Sequence, residues 1–169
     1  IGGVQVGFKS SIWYGSVLRG DVNDISIGSN TSIGDRTIIH VSQNGPGGPQ
    51  PTEIGNNVVV GPGSILHACT IKDNSLVEAG STILDGAVIE EGSIVGTGSV
   101  VTNGKTVPSG QYWAGSPAKF VRDLTEEEKS YIKQTLQSSL ALAEKHDQQH
   151  SKPERQKYEE KDLIYEEVH

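Results

Sequence analysis

The chain has 169 residues, enough for one domain with a real core. Its formal net charge of −7 gives no electrostatic reason to expect nucleic acid, and no run of about 18 apolar residues is present to span a bilayer. The single cysteine, Cys69, excludes an internal disulfide and suits a reducing compartment such as the cytosol or an organelle matrix.

The first element is a repeat already under way at Ile1. The chain therefore reads as lacking its natural beginning, and any targeting segment with it. Apolar residues recur every six positions: Val6, Ile12 and Leu18, then Ile27, Ile33 and Ile39, then Ile54, Val60 and Leu66. A last run holds Ile71, Val77, Ile83, Ile89, Val95, Val101, Val107 and Trp113 without a break. Glycine often follows the apolar residue, as in Val6-Gly7, Ile33-Gly34 and Val60-Gly61. A helical period of 3.6 does not produce this spacing; a parallel β-helix of hexapeptide repeats does. Each unit forms a short strand and a corner, and three units close one triangular coil. The recurrent aliphatic points inward and stacks on its equivalents in neighbouring coils.

Two interruptions stand out. The segment "NDIS" around Asn23 shifts the phase of the repeat. "QNGPGGPQPT", residues 43–52, breaks it with three prolines and three glycines and must loop out of the coil. That loop holds no acid, base or metal ligand, so it is expected to make surface contacts.

The composition changes at residue 120, which sets the expected division: a β-helix over 1–120, and a helix with a charged tail over 121–169. The second part has no glycine and carries 8 Lys/Arg against 12 Asp/Glu. Thr125 and Glu128 form a capping box, and Glu126 and Glu127 suit the positive end of a helix. Ile132, Leu136, Leu140 and Ala143 form one apolar stripe, predicted to pack along the flank of this β-helix or a neighbour's. The tail "SKPERQKYEEKDLIYEEVH" reads as an extended arm or second helix that needs a partner to be ordered.

The stretches "SSIWYGSVLRGD", "TIIH", "ILHAC" and "YWAGSPAKFVRDLTEEE" together resemble the γ-class carbonic anhydrases, over nearly the whole chain from Ile1 to about Glu128. The tail is similar to the mitochondrial branch of that family. The resemblance implies a left-handed β-helix and a trimer. It also implies an accessory role in respiratory complex I, in a heterotrimer with two other γ-carbonic-anhydrase-like subunits. That trimer would sit peripherally on the matrix side of the mitochondrial inner membrane, against subunits of the membrane arm.

In that family, three histidines bind zinc between subunits, two from one subunit and the third from its neighbour. His40 matches the first ligand and His67 the last. The middle ligand falls at Pro62, which has no side-chain donor. Catalytic zinc needs three protein ligands and an open position, so this chain cannot supply a full set by itself, and zinc is expected at one interface only. Arg19 and Asp21 match the family's pair that bridges subunits and helps hold bicarbonate, and Asp35 matches the family's Asp. The Gln that precedes it in the family is Gly34 here, and the Asn of the family's Gly-Asn-Pro-Ala is Ser116.

Plainer readings stand beside these. His40 and His67 can be polar residues at a coil surface. Arg19, Asp21 and Asp35 can be structural interface groups. Glu78 reads as an exposed strand carboxylate, Cys69 as a small buried residue, and Trp13, Tyr14 and Trp113 as interface packing. His146, His150 and His169 lie in the charged segment and read as solvated.

Three functions compete. The first is a structural complex I subunit with an incomplete zinc site, inactive as a homotrimer. The second is an active carbonic anhydrase whose missing histidine comes from a neighbour. The third, more remote, is a hexapeptide acyltransferase or thioesterase using coenzyme A. Such enzymes carry a catalytic histidine on a long loop, and residues 43–52 have none.

Overall fold

The computed structural model describes residues 1–45 and 48–150. The charged tail from residue 151 onward, with His169, lies outside the described residues.

The repeat winds into a parallel β-solenoid of about six turns, followed by one helix. Three faces build it. The first stacks Gly2–Val6, the second half of Val17–Ile27, then Thr52–Ile54, Thr70–Ile71, Val88–Ile89 and Thr106–Val107. The second stacks Ser11–Ile12, Ser32–Ile33, Val59–Val60, Leu76–Val77, Ile94–Val95 and Gln111–Gly115. The third stacks the first half of Val17–Ile27, then Ile38–His40, Ile65–His67, Thr82–Ile83 and Val100–Val101. All these pairings are parallel and in register apart from a shift opposite Asn23, where Gly2 pairs Gly20 but Val4 pairs Ile25. That shift is the phase slip expected from "NDIS": one long strand turns the corner between the third and first faces.

The hexapeptide aliphatics fill the interior. Ile33, Ile39, Val60, Leu66, Ile71, Val77, Ile83, Ile89, Val95 and Val101 are buried side by side. Small hydroxyls line the corners and return their hydrogen bonds to the backbone; the Ser81 hydroxyl donates to the Gly96 carbonyl of the next coil at 2.9 Å. Trp113 closes the far end, with the Lys105 ammonium 5.3 Å from its ring centre. The strand Ala118–Asp123 then folds back antiparallel on Gln111–Gly115.

The helix, α1 (Glu126–His150), starts at the expected capping box. Thr125 N–H donates to Glu128 Oε2 at 3.0 Å, and Glu128 N–H donates to Thr125 Oγ1 at 3.3 Å. Its apolar stripe lies on this chain's own second face. Ile132 is buried among Val59, Leu76, Ile94 and Leu124, with Leu136 beside it. Among the described residues no helix is long and apolar enough to cross a membrane.

Residues 43–52 do leave the coil. They form most of a small antiparallel hairpin, Ser42–Gly45 with Gly48–Gln50, before Thr52 rejoins the first face. Ala68 and Cys69 turn the same corner directly one coil later.

Candidate metal centre

The two predicted ligand histidines sit at the corner between the third and first faces. Arg19, His40 and His67 occupy one register column on successive coils. Parallel stacking sets their side chains about 4.8 Å apart along the axis, so like residues meet. His40 Nδ1 stands 3.1 Å from His67 Nε2. His67 Nδ1 lies 2.5 Å from Asp85 Oδ1, one coil further on. On the other side, His40 Nε2 faces Asp21 Oδ1 at 3.4 Å, and Arg19 Nε donates to Asp21 Oδ2 at 2.7 Å. The column therefore runs Arg19, Asp21, His40, His67, Asp85. The Arg19 hydrogen bond holds the Asp21 carboxyl below its usual value.

This arrangement bears on zinc. Asp85 accepts from His67 Nδ1–H, which fixes the tautomer and leaves the Nε2 lone pair directed at His40. Two nitrogens bound to one tetrahedral zinc at 2.0–2.1 Å are about 3.3 Å apart. The 3.1 Å between His40 Nδ1 and His67 Nε2 is close to that separation. The pair fits as two of three ligands. A third is not supplied: among the described residues no three His, Cys, Asp or Glu side chains converge.

Pro62 lies at a different corner, the one between the second and third faces. There the turns stack as a ladder, each amide donating to the coil before it: Arg36 N–H to the Tyr14 carbonyl, Gly63 N–H to Asp35, Gly80 N–H to Pro62 and Gly98 N–H to Ala79. Pro62 precedes Gly63, whose φ is +68°, the pattern of a type II turn. Asp35 is at this corner too, exposed, accepting from Tyr14 N–H at 3.2 Å. A groove here is lined by Tyr14, Gly15, Asp35, Arg36, Pro62 and Gly63. A Cβ on Gly34 would stand 2.6 Å from the Pro62 nitrogen, as one on Gly61 would stand 2.4 Å from the Ala79 nitrogen, so successive coils at this corner close over bare backbone.

The structure thus separates the predicted residues into two groups. Arg19, Asp21, His40 and His67 come together; Asp35, Gly34 and Pro62 form the other corner. Arg19 and Asp21 pair within the chain. Glu78 is half-buried and lines a groove with Gly34, Asp35 and Pro62, but its Oε2 is taken up by Thr97 N–H and Oγ1–H on the next coil, each at 2.9 Å. Cys69 is buried, and burial pushes its thiol up to about 12, which removes it as a nucleophile. Asp85 was not singled out from the sequence; Leu66 pairs with Ile83, so this coil takes 17 residues, and Asp85 stands one place past the residue that lies beside His67.

One expectation is corrected. His146 and His150 are not merely solvated. Tyr14 Oη lies 2.9 Å from His146 Nδ1 and 2.8 Å from His150 Nε2, and Trp13 meets the His146 ring edge-on at 5.1 Å between centres. The helix runs back along the solenoid far enough to bring its last turns to the first coils.

Comparison with known proteins places the architecture. A family model described as bacterial transferase hexapeptide (six repeats) matches residues 68–103. The mitochondrial gamma carbonic anhydrase 2 of Arabidopsis thaliana is 46% identical over 153 residues, 90% of this chain and 55% of that protein. The chain spans only about half the length of that relative. A probable carbonic anhydrase of Methanocaldococcus jannaschii is 49% identical over 144 residues, 85% of this chain and 87% of that protein. The crystal structure of a hexapeptide transferase family protein from Anaplasma phagocytophilum superposes with a TM-score of 0.78 at 46% identity, covering 85% of this chain and 81% of that one. The solenoid, the paired histidines and a likeness that runs almost the full length of the archaeal relative agree: the chain belongs to the γ-class carbonic anhydrase family.

Proposed function

We propose that this chain is a γ-carbonic-anhydrase-like subunit that builds one half of an interfacial zinc site and has given up the other half. The separation of His40 and His67 from Pro62 onto two corners carries the reading. One corner offers two imidazoles at metal-ligand spacing with a carboxylate behind them. The other offers a proline where the family resemblance places the remaining ligand. A neighbour with a histidine at that place would complete the set, and zinc held there would supply a Lewis acid that activates water for CO₂ hydration. In a trimer of this chain alone, every interface would meet His40 and His67 with Pro62, and no site would be complete.

The face beside the histidines suits a covered surface. Val17, Ile38 and Ile65 pair in register along it and are 49%, 45% and 41% exposed. Three aliphatics in one column are what a neighbouring subunit would bury. We assign the chain to a heterotrimer with two related subunits, in a structural role on the matrix side of the mitochondrial inner membrane, against the membrane arm of complex I. The mitochondrial name of the Arabidopsis relative supports the compartment.

A second reading is favoured by Asp85. The carboxylate behind His67 is the kind of support that a working metal ligand needs. On that reading the chain shares an active carbonic anhydrase site with a histidine-bearing partner.

Metal analysis tests the proposal. The purified chain carrying His146→Gln and His150→Gln, so that only the corner histidines are tested, should carry far below one zinc per subunit. A stoichiometric zinc content that falls on His67→Ala would sink the incomplete-site reading.

A further inference from the structure

We infer that Tyr14, His146 and His150 form a second site for a late first-row divalent cation, Zn²⁺ or Cu²⁺, apart from the His40 and His67 corner. The observation is the convergence of three donors. His146 Nδ1 and His150 Nε2 both meet the same phenolic oxygen, at 2.9 and 2.8 Å. The two histidines stand four residues apart near the end of α1. That spacing puts them on one helix face, and it is the spacing by which a helix offers two imidazoles to one metal. Tyr14 comes from the opposite direction, on the turn that follows Ser11–Ile12. Its backbone is held on the coil ladder by its carbonyl bond to Arg36 N–H and its amide bond to Asp35. Trp13 packs edge-on against His146 with an interplanar angle of 74°, which limits how that ring can turn.

The chemistry decides the class of ligand. Two imidazoles and a phenol form a borderline set. Calcium and magnesium want hard oxygen ligands, whereas imidazole suits zinc and copper, and affinity at a nitrogen-rich site peaks at Cu²⁺. Among the described residues no group of three His, Cys, Asp or Glu forms, so the set reaches three donors only through Tyr14. A metal at 2.0–2.1 Å from each donor spaces them about 3.3 Å apart. The present contacts are shorter by about half an ångström, and ring rotation supplies the difference. Tyr14 is half exposed and His150 exposed, so a cation has access. Binding releases the protons that now bridge the oxygen and the two nitrogens, and a bound ion ties the last turns of α1 to the first coils across more than 130 residues of chain.

The test uses the whole chain carrying His40→Asn and His67→Asn, so that the other corner contributes nothing. Zn²⁺ and Cu²⁺ are titrated as simple salts, with binding read by calorimetry and by Tm. We expect one Cu²⁺ per chain, bound more tightly than Zn²⁺, and a rise in Tm on binding. Adding His146→Gln and His150→Gln should weaken binding at least 10-fold and abolish the Tm rise. Tyr14→Phe should keep the two-histidine chelate but lose the phenolate-to-copper charge-transfer absorption and several-fold in affinity. The double glutamine variant alters the side of the last helical turns that faces Tyr14 and Trp13, so its fold is verified by an unchanged far-ultraviolet circular dichroism spectrum and a cooperative thermal transition without metal. Failure of the parent to bind either ion, or binding indifferent to both histidine substitutions, overturns the site. A charge-transfer band that survives Tyr14→Phe overturns the third donor. None of these readouts depends on a zinc site between subunits.

Discussion

At the scale of single residues, the proposed half-site turns on side-chain chemistry, because histidine holds a donor and proline does not. His40, His67 and Pro62 could be read directly. Asp85 could not, because this coil is one residue shorter than three hexapeptides, and the carboxylate lies one place past the histidine column. Its approach to His67 is a property of the winding. The Pro62 turn leads to a prediction. Position 62 is the first central residue of a turn whose second, Gly63, carries the positive φ. Any residue can hold the first position, so Pro62→His should fold as the parent does. In a His146→Gln, His150→Gln background, and if the chain associates through the proposed interface, metal analysis should then rise from far below one zinc per subunit towards one. A folded variant that stays metal-free would show that residue 62 does not face the neighbour's histidines. Cys69 gives a second prediction. Its thiol is raised from an ordinary 9.0 to about 12, with burial the largest cause. A group raised in the folded state adds stability below its unfolded value and loses that contribution as pH climbs from about 9 towards 12. Iodoacetamide at pH 8 should leave the native chain unmodified and label it fully in denaturant; native labelling at the denatured rate would contradict the buried setting.

At the scale of elements, the six-residue period was sufficient for the solenoid because its strands are short apart from Val17–Ile27 and its inward positions are aliphatic up to Trp113. The excursion at 43–52 was legible as a departure, but its hairpin pairing was not: Gly and Pro mark a break without saying whether the two limbs will pair. The corners carry their own order. Asn30, Asn57 and Asn74 all have positive φ, and their amides link in a row: Asn30 Nδ2 donates to Asn57 Oδ1 at 3.4 Å, Asn57 Nδ2 to Asn74 Oδ1 at 3.2 Å, and Asn74 Nδ2 to Glu91 Oε1 at 3.0 Å. Asparagine is suited twice, tolerating the left-handed backbone and bonding to the coil on either side. Asn57→Ala removes both and should cost about 2 kcal/mol in urea unfolding. Asn57→Gly restores the backbone tolerance and should recover about half of that. Equal losses for Ala and Gly would mean that only the side-chain bonds matter. The helix was legible from its cap and its stripe. What its far end meets was not, because the contact of His146 with Tyr14 joins residues 132 apart in sequence, and nothing local in either segment encodes it.

At the scale of the whole molecule, the three-faced coil gives the proposed half-site a direction. A trimer packed around a three-fold axis presents one corner of each chain to a different corner of the next. With His40 and His67 on one corner and Pro62 on another, the proposed trimer would take imidazoles from this chain at one interface and none at the other. Two engineered forms of this chain, both carrying His146→Gln and His150→Gln so that only the corner residues can hold zinc, can expose that polarity. The first is otherwise the parent, which offers His40 and His67 but no histidine at position 62. The second carries Pro62→His together with His40→Ala and His67→Ala, and offers only the middle ligand. Each alone has an incomplete set at every interface and should bind far below one zinc per subunit. Unfolded together and refolded as a mixture, they should form mixed trimers. Every mixed trimer of either composition has one interface at which the parent's two histidines meet the variant's His at position 62. Zinc should therefore appear in the mixture, at about one per mixed trimer by native mass spectrometry, and be absent from both pure trimers. Zinc in the second form alone would mean that the ligands lie elsewhere. Mixed trimers without zinc would mean that the two corners do not meet, and the division of the site between neighbours would have to be abandoned.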